Sequence, residues 1–293
     1  MARVTVGRLV PVMAGVGFPG LAVMLGLSVA RGQGAASQPD HGLSLDDDRS
    51  APVGPAIVVA ELFTSEGCSS CPPADEVLSR LAVEPLIPGV QVLALGEHVD
   101  YWDRLGWKDP FSSPIFTGRQ SQYHTQVFRR SSVYTPQLVV DGQFEGIGSD
   151  LAAVKRAIVR AAHAPKATVA VSWTALDADL GKATVQIDVP SEVILRERAD
   201  VMVAVTQNRL TTDVRRGENR GRQLTHSAVV HSLTPLGTLG STARTFSTPM
   251  VVPVAPEWRR SDIRIVAFLQ EREGRRIVGA GSTRIDGPGG SGE

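Results

Sequence analysis

Residues 57–75 read IVVAELFTSEGCSSCPPAD, and this stretch holds both cysteines of the 293-residue chain. Ile57 to Ala60 and Leu62 to Phe63 form a nearly continuous apolar run containing β-branched residues. Such a run suits a strand buried on both faces of a parallel or mixed sheet. A turn follows at Thr64 to Gly67. Pro72 and Pro73 then fit a first helical turn, where no amide proton is needed, and Asp75 and Glu76 place negative charge at the positive end of that helix. Strand, turn and helix thus predict Cys68 and Cys71 at a helix N-terminus, which favours thiolate over thiol. The Cys-x-x-Cys spacing lets the second sulfur reach back and resolve a mixed disulfide formed by the first.

Three blocks, ELFTSEGCSSCPPAD at 61–75, HVDYWDRLGWKDPFS at 98–112 and VYTPQLVVDG at 133–142, resemble a family of secreted thioredoxin-like proteins classed as a domain of unknown function, number 1223. The resemblance implies a thioredoxin-like α/β fold, a mixed sheet with flanking helices. It also implies that Cys68 is exposed and attacks while Cys71 resolves. Pro136 would be cis and lie against the cysteine pair, with neighbouring backbone holding an extended substrate. Glu61 would correspond to the buried acid that accepts the proton of the resolving cysteine.

Read from the residues alone, Glu61 is an acid inside an apolar strand, where burial raises a carboxyl pKa toward neutrality. The alternative is a carboxylate paired with an arginine. Val90 to Leu95 reads as a second strand parallel to the first, so the loop from Gly96 to Trp107 falls at the same sheet edge as the cysteines. His98 there can shuttle protons or join two thiolates as a metal ligand, with Asp100 orienting it. Alternatively His98 caps the strand while Tyr101, Trp102 and Trp107 pack into a loop core. Ser112 or Ser113 caps a helix from Pro114, Asp141-Gly142 makes a hairpin turn, and Leu151, Val154 and Ile158 form a closing amphipathic helix.

A length of 293 residues with 42% hydrophobic content supports two domains. The net charge of zero argues against a nucleic-acid binder acting by broad electrostatic attraction. Arg3 and Arg8 precede an uncharged run from Leu9 to Ala30, with small residues for cleavage at 28–36, so residues 1–36 read as a signal peptide or N-terminal anchor. The expected location is periplasmic or secreted, with membrane contact only through an uncleaved N-terminal segment. Residues 37–55, rich in Gly, Ser, Pro and Asp, read as a disordered linker. The thioredoxin-like domain spans 56–163. From 164 to 286 short alternating runs such as Val185, Ile187 and Val189 predict a second, all-β sandwich-like domain, and 287–293 read as a disordered tail. In that second part Arg215, Arg216, Glu218, Arg220 and Arg222 crowd a hairpin loop, read either as solvated or as docking near the cysteines. His226 and His231 fall on opposite faces of an expected strand from Leu224 to Leu233, which argues against a shared metal.

A disulfide closing so short a loop contributes roughly 2 kcal/mol by chain entropy, so a mere staple is the weaker reading of this pair. No second Cys pair completes a zinc site, and no cofactor is expected. The expected function is thiol–disulfide exchange with a protein thiol or disulfide through Cys68 and Cys71, assisted by Glu61, His98 and Pro136. The alternatives are copper(I) handling by Cys68, Cys71 and His98, and a non-catalytic binding module with an inert disulfide.

Overall fold

The computed structural model describes residues 54–285. The expected targeting segment at 1–36, nearly all of the 37–55 linker and the 287–293 tail lie outside the described residues.

The apolar run becomes strand β1 (Ala56–Thr64), followed by helix α1 (Pro72–Val83) and strand β2 (Val90–His98). β1 and β2 pair in parallel from Ala56↔Val90 to Thr64↔His98, which brings the end of β2 beside the cysteine turn. Helix α1 buries Ala74, Val77, Leu78 and Leu81. Helix α3 (Leu151–Ala162) buries Val154, Ile158 and Ala161 and is capped by Asp150, whose Oδ1 accepts from the Ala153 amide at 2.9 Å. Both helices join Val58, Leu62, Leu138 and Val140 in one apolar cluster. Each such side chain taken from water contributes about 1.5–3 kcal/mol. Helix α2 (Pro114–Gln122) starts at Ser113, whose hydroxyl accepts from the Ile115 amide. β3 (Gln137–Val140) and β4 (Phe144–Ile147) complete this half as an antiparallel hairpin.

The second half adds β5 (Ala167–Ala175), β6 (Leu180–Asp188), β7 (Ala199–Gln207), β8 (Leu210–Asp213), β9 (Gln223–His226), β10 (Val229–Leu239), β11 (Thr245–Pro253), β12 (Ile263–Glu271) and β13 (Ile277–Arg284). β8 and β9 form a separate two-stranded hairpin. The other strands join the first half in one eleven-stranded mixed sheet, ordered β11-β6-β5-β13-β12-β7-β10-β2-β1-β3-β4.

That continuous sheet overturns the expected fold class, a thioredoxin-like mixed sheet with flanking helices followed by a second, sandwich-like domain. The physical reason sits at Gly96. Its amide donates to the Ala228 carbonyl at 2.7 Å, and Val229 pairs with Gly96 in parallel, so β10 extends the sheet from β2. A Cβ at Gly96 would stand 3.3 Å from the Ser227 carbonyl oxygen and 3.4 Å from that of Ala228, so the close approach favours a residue without a side chain. One apolar cluster then contains Val59, Phe63, Leu93, Leu95 and Tyr123 from the first half together with Ala204, Val230, Val266, Phe268 and Ile277 from the second. The halves therefore share a core.

The expected strand from Leu224 to Leu233 is also broken. Ala228 adopts a left-handed φ of 54°, its amide held by Asn208 Oδ1 at 2.7 Å. The kink ends β9 at His226 and leaves His231 in β10.

Candidate functional site

Beyond Thr64 the chain turns, with the Cys68 amide donating to the Ser65 carbonyl at 3.1 Å and the Cys71 amide to the Cys68 carbonyl at 3.2 Å. Cys71 is the N-cap of α1, and its carbonyl accepts from the amides of Ala74 and Asp75. Cys68 and Cys71 are joined as a disulfide. Ser69 and Ser70, between them, are exposed, but both cysteines have 0% of their surface accessible. The expectation of an exposed Cys68 is therefore corrected.

The loop joining β8 to β9 is bonded to the backbone of this turn. Asn219, 1% exposed, donates from Nδ2 to the carbonyls of Glu66 at 2.8 Å and Cys68 at 2.9 Å. Next to it Glu218 Oε2 accepts from the Ser69 amide at 3.0 Å. Contacts with the hydroxyl and amide of Ser69 hold the Glu218 carboxyl below its usual range. Arg222 Nη1 donates to Asn219 Oδ1 and fixes the amide's orientation. The arginine-rich loop thus docks at the cysteines, through Asn219 and Glu218.

Underneath lies a buried polar cluster. His98 Nδ1 pairs with Asp109 Oδ2 at 2.7 Å, and the same oxygen accepts from the Glu66 amide at 2.8 Å. Glu66 Oε2 accepts from Trp107 Nε1 at 2.7 Å, and its Oε1 lies 3.1 Å from His226 Nε2. The other nitrogen of His226 stands 3.8 Å from Asp75 Oδ2 and has no hydrogen-bond partner. Thr64 Oγ1 donates to Asp75 Oδ1 at 2.8 Å. The two imidazoles meet edge to face with centroids 4.8 Å apart, and Phe111 packs against both.

These environments move the proton affinities. Desolvation pushes the Asp75 carboxyl up, against the pull of His226 and His98. Burial alone would lower His98, but the charge and hydrogen bond of Asp109, with Asp75 and Glu66, carry it upward instead. Burial would raise Asp109, and His98 more than offsets that, leaving it lowered. A cleft of about 340 Å³ lies between α1 and β9, lined by Pro72, Asp75, Glu76 and His226 among others.

The sequence-derived site residues divide into two groups. Cys68, Cys71 and His98 belong to this region. Asp100, expected to orient His98, instead accepts from Thr117 Oγ1 at 2.5 Å, and Asp109 takes its place. Glu61 belongs to a different cluster: it accepts from Arg119 Nε and the Tyr123 hydroxyl at 2.5 Å each, the arginine-paired alternative. Glu97 lies in that cluster too, raised well above the ordinary carboxyl range by burial and then by the neighbouring charge of Glu61. The Thr135-Pro136 bond is cis. Its connection to the cysteine turn runs through Trp102, which donates from Nε1 to Thr135 Oγ1 at 2.9 Å and packs beside Gly67. Sequence reasoning missed Glu66, Asp75, Asp109 and Asn219, and separated His226 from His98. Only the blocks 61–75 and 98–112, which contain three of these residues, carried a signal.

Among the described residues, no group of three or more His, Cys, Asp or Glu side chains is arranged to hold a metal ion, and no helix is long and apolar enough to cross a membrane.

A search of curated proteins finds no match. Among solved structures, a protein of Agrobacterium tumefaciens is 27% identical with a TM-score of 0.60, over 83% of this chain and 100% of that one. HBP35 of Porphyromonas gingivalis is 19% identical, also with a TM-score of 0.60, over 82% of this chain and 79% of its own, which is a likeness of fold alone. The family model described as "Protein of unknown function (DUF1223)" matches residues 59–270, and the chain belongs to that family.

Proposed function

We propose that Cys68 and Cys71 form a covered thiol–disulfide exchange centre in an exported protein. The observation that carries this reading is that the disulfide and a buried titratable set share one turn at the end of β1. Exposed Ser69-Ser70 lies between the two cysteines in sequence, Glu66 of that turn and Asp75 of α1 both face His226, and His98 pairs with Asp109 beside them. A disulfide kept by the chain's two cysteines suits an oxidising compartment, as does the apolar N-terminal run in the sequence.

Exchange runs through a mixed disulfide. In one direction a partner thiolate attacks Cys68 Sγ, the Cys68–Cys71 bond breaks, and Cys71 leaves as a thiolate that takes a proton. A second partner thiolate then displaces Cys68, leaving the partner oxidised to a disulfide and the pair reduced to two thiols by two electrons and two protons. The reverse direction uses Cys68 as the attacking thiolate. In this reading Asp75 and His226, which line the cleft, pass protons between solvent and the Cys71 thiolate. Access to sulfur requires the Asn219 contacts to open.

A second reading is favoured by one observation, the complete burial of both cysteines: the bond is a non-exchanging part of a binding module. The two readings separate on exchange with a model dithiol peptide. Thiol–disulfide exchange gives turnover in the intact protein and none in Cys68→Ser. No turnover in the intact protein, nor in a variant lacking the Asn219 amide, leaves only the inert disulfide.

A further inference from the structure

The loop bonded to the cysteine turn is also the most basic segment near it. Arg215, Arg216, Arg220 and Arg222 are all exposed, and none forms an ion pair among the described residues. The loop is built to hold one shape. The Val214 amide donates to the Arg222 carbonyl at 2.9 Å, Gly221 donates back to Val214 at 2.8 Å, and Arg220 donates to Gly217 at 3.2 Å. Gly217 abuts Trp107, in a neighbouring loop that carries exposed Arg104 and Lys108. The exposed acids nearby are Glu218, Asp213 and Glu76. Over the whole chain the net charge is zero, so this local basic excess is a feature of the rim.

Glu218 shows what the rim accepts. Its carboxylate sits on the amide of Ser69, the residue after Cys68, at 3.0 Å, and is flanked in sequence by two arginines on either side. A carboxylate is therefore already accommodated at the place a visiting chain must reach.

We infer that this rim is the docking surface for an acidic polypeptide segment, one of whose carboxylates replaces Glu218 on the Ser69 amide while the surrounding arginines engage its other acids. The inference rests on the exchange reading of the same cysteines and names the class of partner that reading requires. Magnitudes favour a polypeptide over a small anion. Opening the cover breaks two buried hydrogen bonds from Asn219, on the order of 1 kcal/mol each. One exposed ion pair returns about 0.2–1 kcal/mol. Several acids and some backbone are needed to offset the opening, and a chain supplies them. Exposed charges of this kind act mainly on encounter rate and choice of partner, and salt weakens them.

The test compares dithiol peptides of identical length and cysteine spacing whose flanking residues are acidic, neutral or basic, with dithiothreitol, which attacks as a thiolate but carries no flanking charges, as the small reference. Exchange rates are measured against the intact protein and against the combined variant Arg215→Glu, Arg216→Glu, Arg220→Glu, at low and high salt. Arg222 is left in place because it holds Asn219. The expected result is an acidic peptide reacting about tenfold or more faster than the basic one at low salt. That preference narrows in high salt and disappears or reverses in the variant when each rate is divided by that of the neutral peptide, which removes the effect of the changed rim on the thiolate common to all of them. Equal rates for all peptides, or a preference indifferent to salt and to the variant, overturn the acidic partner while leaving the exchange centre standing. Reduced glutathione reacting as well as the acidic dithiol peptide overturns the polypeptide in favour of a small anion. Failure of every peptide and of dithiothreitol overturns the exchange reading, and this inference with it.

Discussion

Asn219 Nδ2 lies 2.9 Å from the carbonyl oxygen of Cys68, although 151 residues separate the two in sequence. Together with its bond to the Glu66 carbonyl, this contact ties the loop joining β8 to β9 to the cysteine turn. In Asn219→Ala both carbonyls lose a buried donor, at a cost of about 1–3 kcal/mol. The expected outcome is a lower midpoint of denaturation and faster reduction of the Cys68–Cys71 bond by dithiothreitol, by about tenfold or more. Reduction at the wild-type rate in a destabilised variant would show that Asn219 supports the fold without guarding the sulfurs.

The His98–Asp109 pair predicts a pH window. His98 titrates above its ordinary 6.5 when folded, so its stabilisation is fully present below the unfolded value and is lost as pH rises through the folded one. Asp109 titrates below its ordinary 3.8, so its stabilisation is present above that value and is lost as pH falls through the folded one. Both contributions coexist from about pH 4 to about pH 6.5. Asp109→Ala should flatten this plateau, cost about 3 kcal/mol within it, and move the His98 titration downward by NMR. An unmoved His98 titration would remove Asp109 as its partner.

Glu97 behaves in the opposite sense for an acid. Neither of its oxygens has a hydrogen-bond partner, the Arg119 Nε stands 3.6 Å away, and burial holds its carboxyl far above the ordinary 4.5. A raised folded pKa means stabilisation present below the unfolded value and lost as pH rises through the folded one. Glu97→Gln keeps the shape and removes the ionisation. We expect a variant at least as stable as the wild type at neutral pH, with the advantage growing toward alkaline pH, measured by chemical denaturation at several pH values. A variant less stable at high pH would show that Glu97 works as a charge.

Gly96 joins the two halves of the sheet, and any side chain there meets the carbonyls of Ser227 and Ala228. Gly96→Val should destabilise by about 1–3 kcal/mol. Because the halves share a core, it should do so in a single cooperative transition. Two separate transitions in calorimetry, with only one shifted, would show independent units.

Much of the local structure was legible in the sequence, because it follows from near neighbours. The apolar run of β1, the proline pair opening α1 and the Asp150 cap each depend on residues within a few positions. What joins these pieces does not. The link between β2 and β10 turns on one glycine and a carbonyl far along the chain. Ala228 carries no signal of its left-handed φ, so period-two alternation placed His226 and His231 in one strand when the kink sends His226 to His98. Asp100 and Asp109 are equally plausible partners for His98 on paper. The chain's path past Trp107 chooses between them.

The loop tied to the sulfur-bearing turn is supplied by the later half of the polypeptide, and this sets a timetable. Asn219 follows Cys68 by 151 residues, so the Cys-Ser-Ser-Cys turn forms from near neighbours while the loop that bonds to it waits on the strands that support it. Closing the cysteine bond before the C-terminal strands settle against the sheet is therefore less hindered than closing it afterwards.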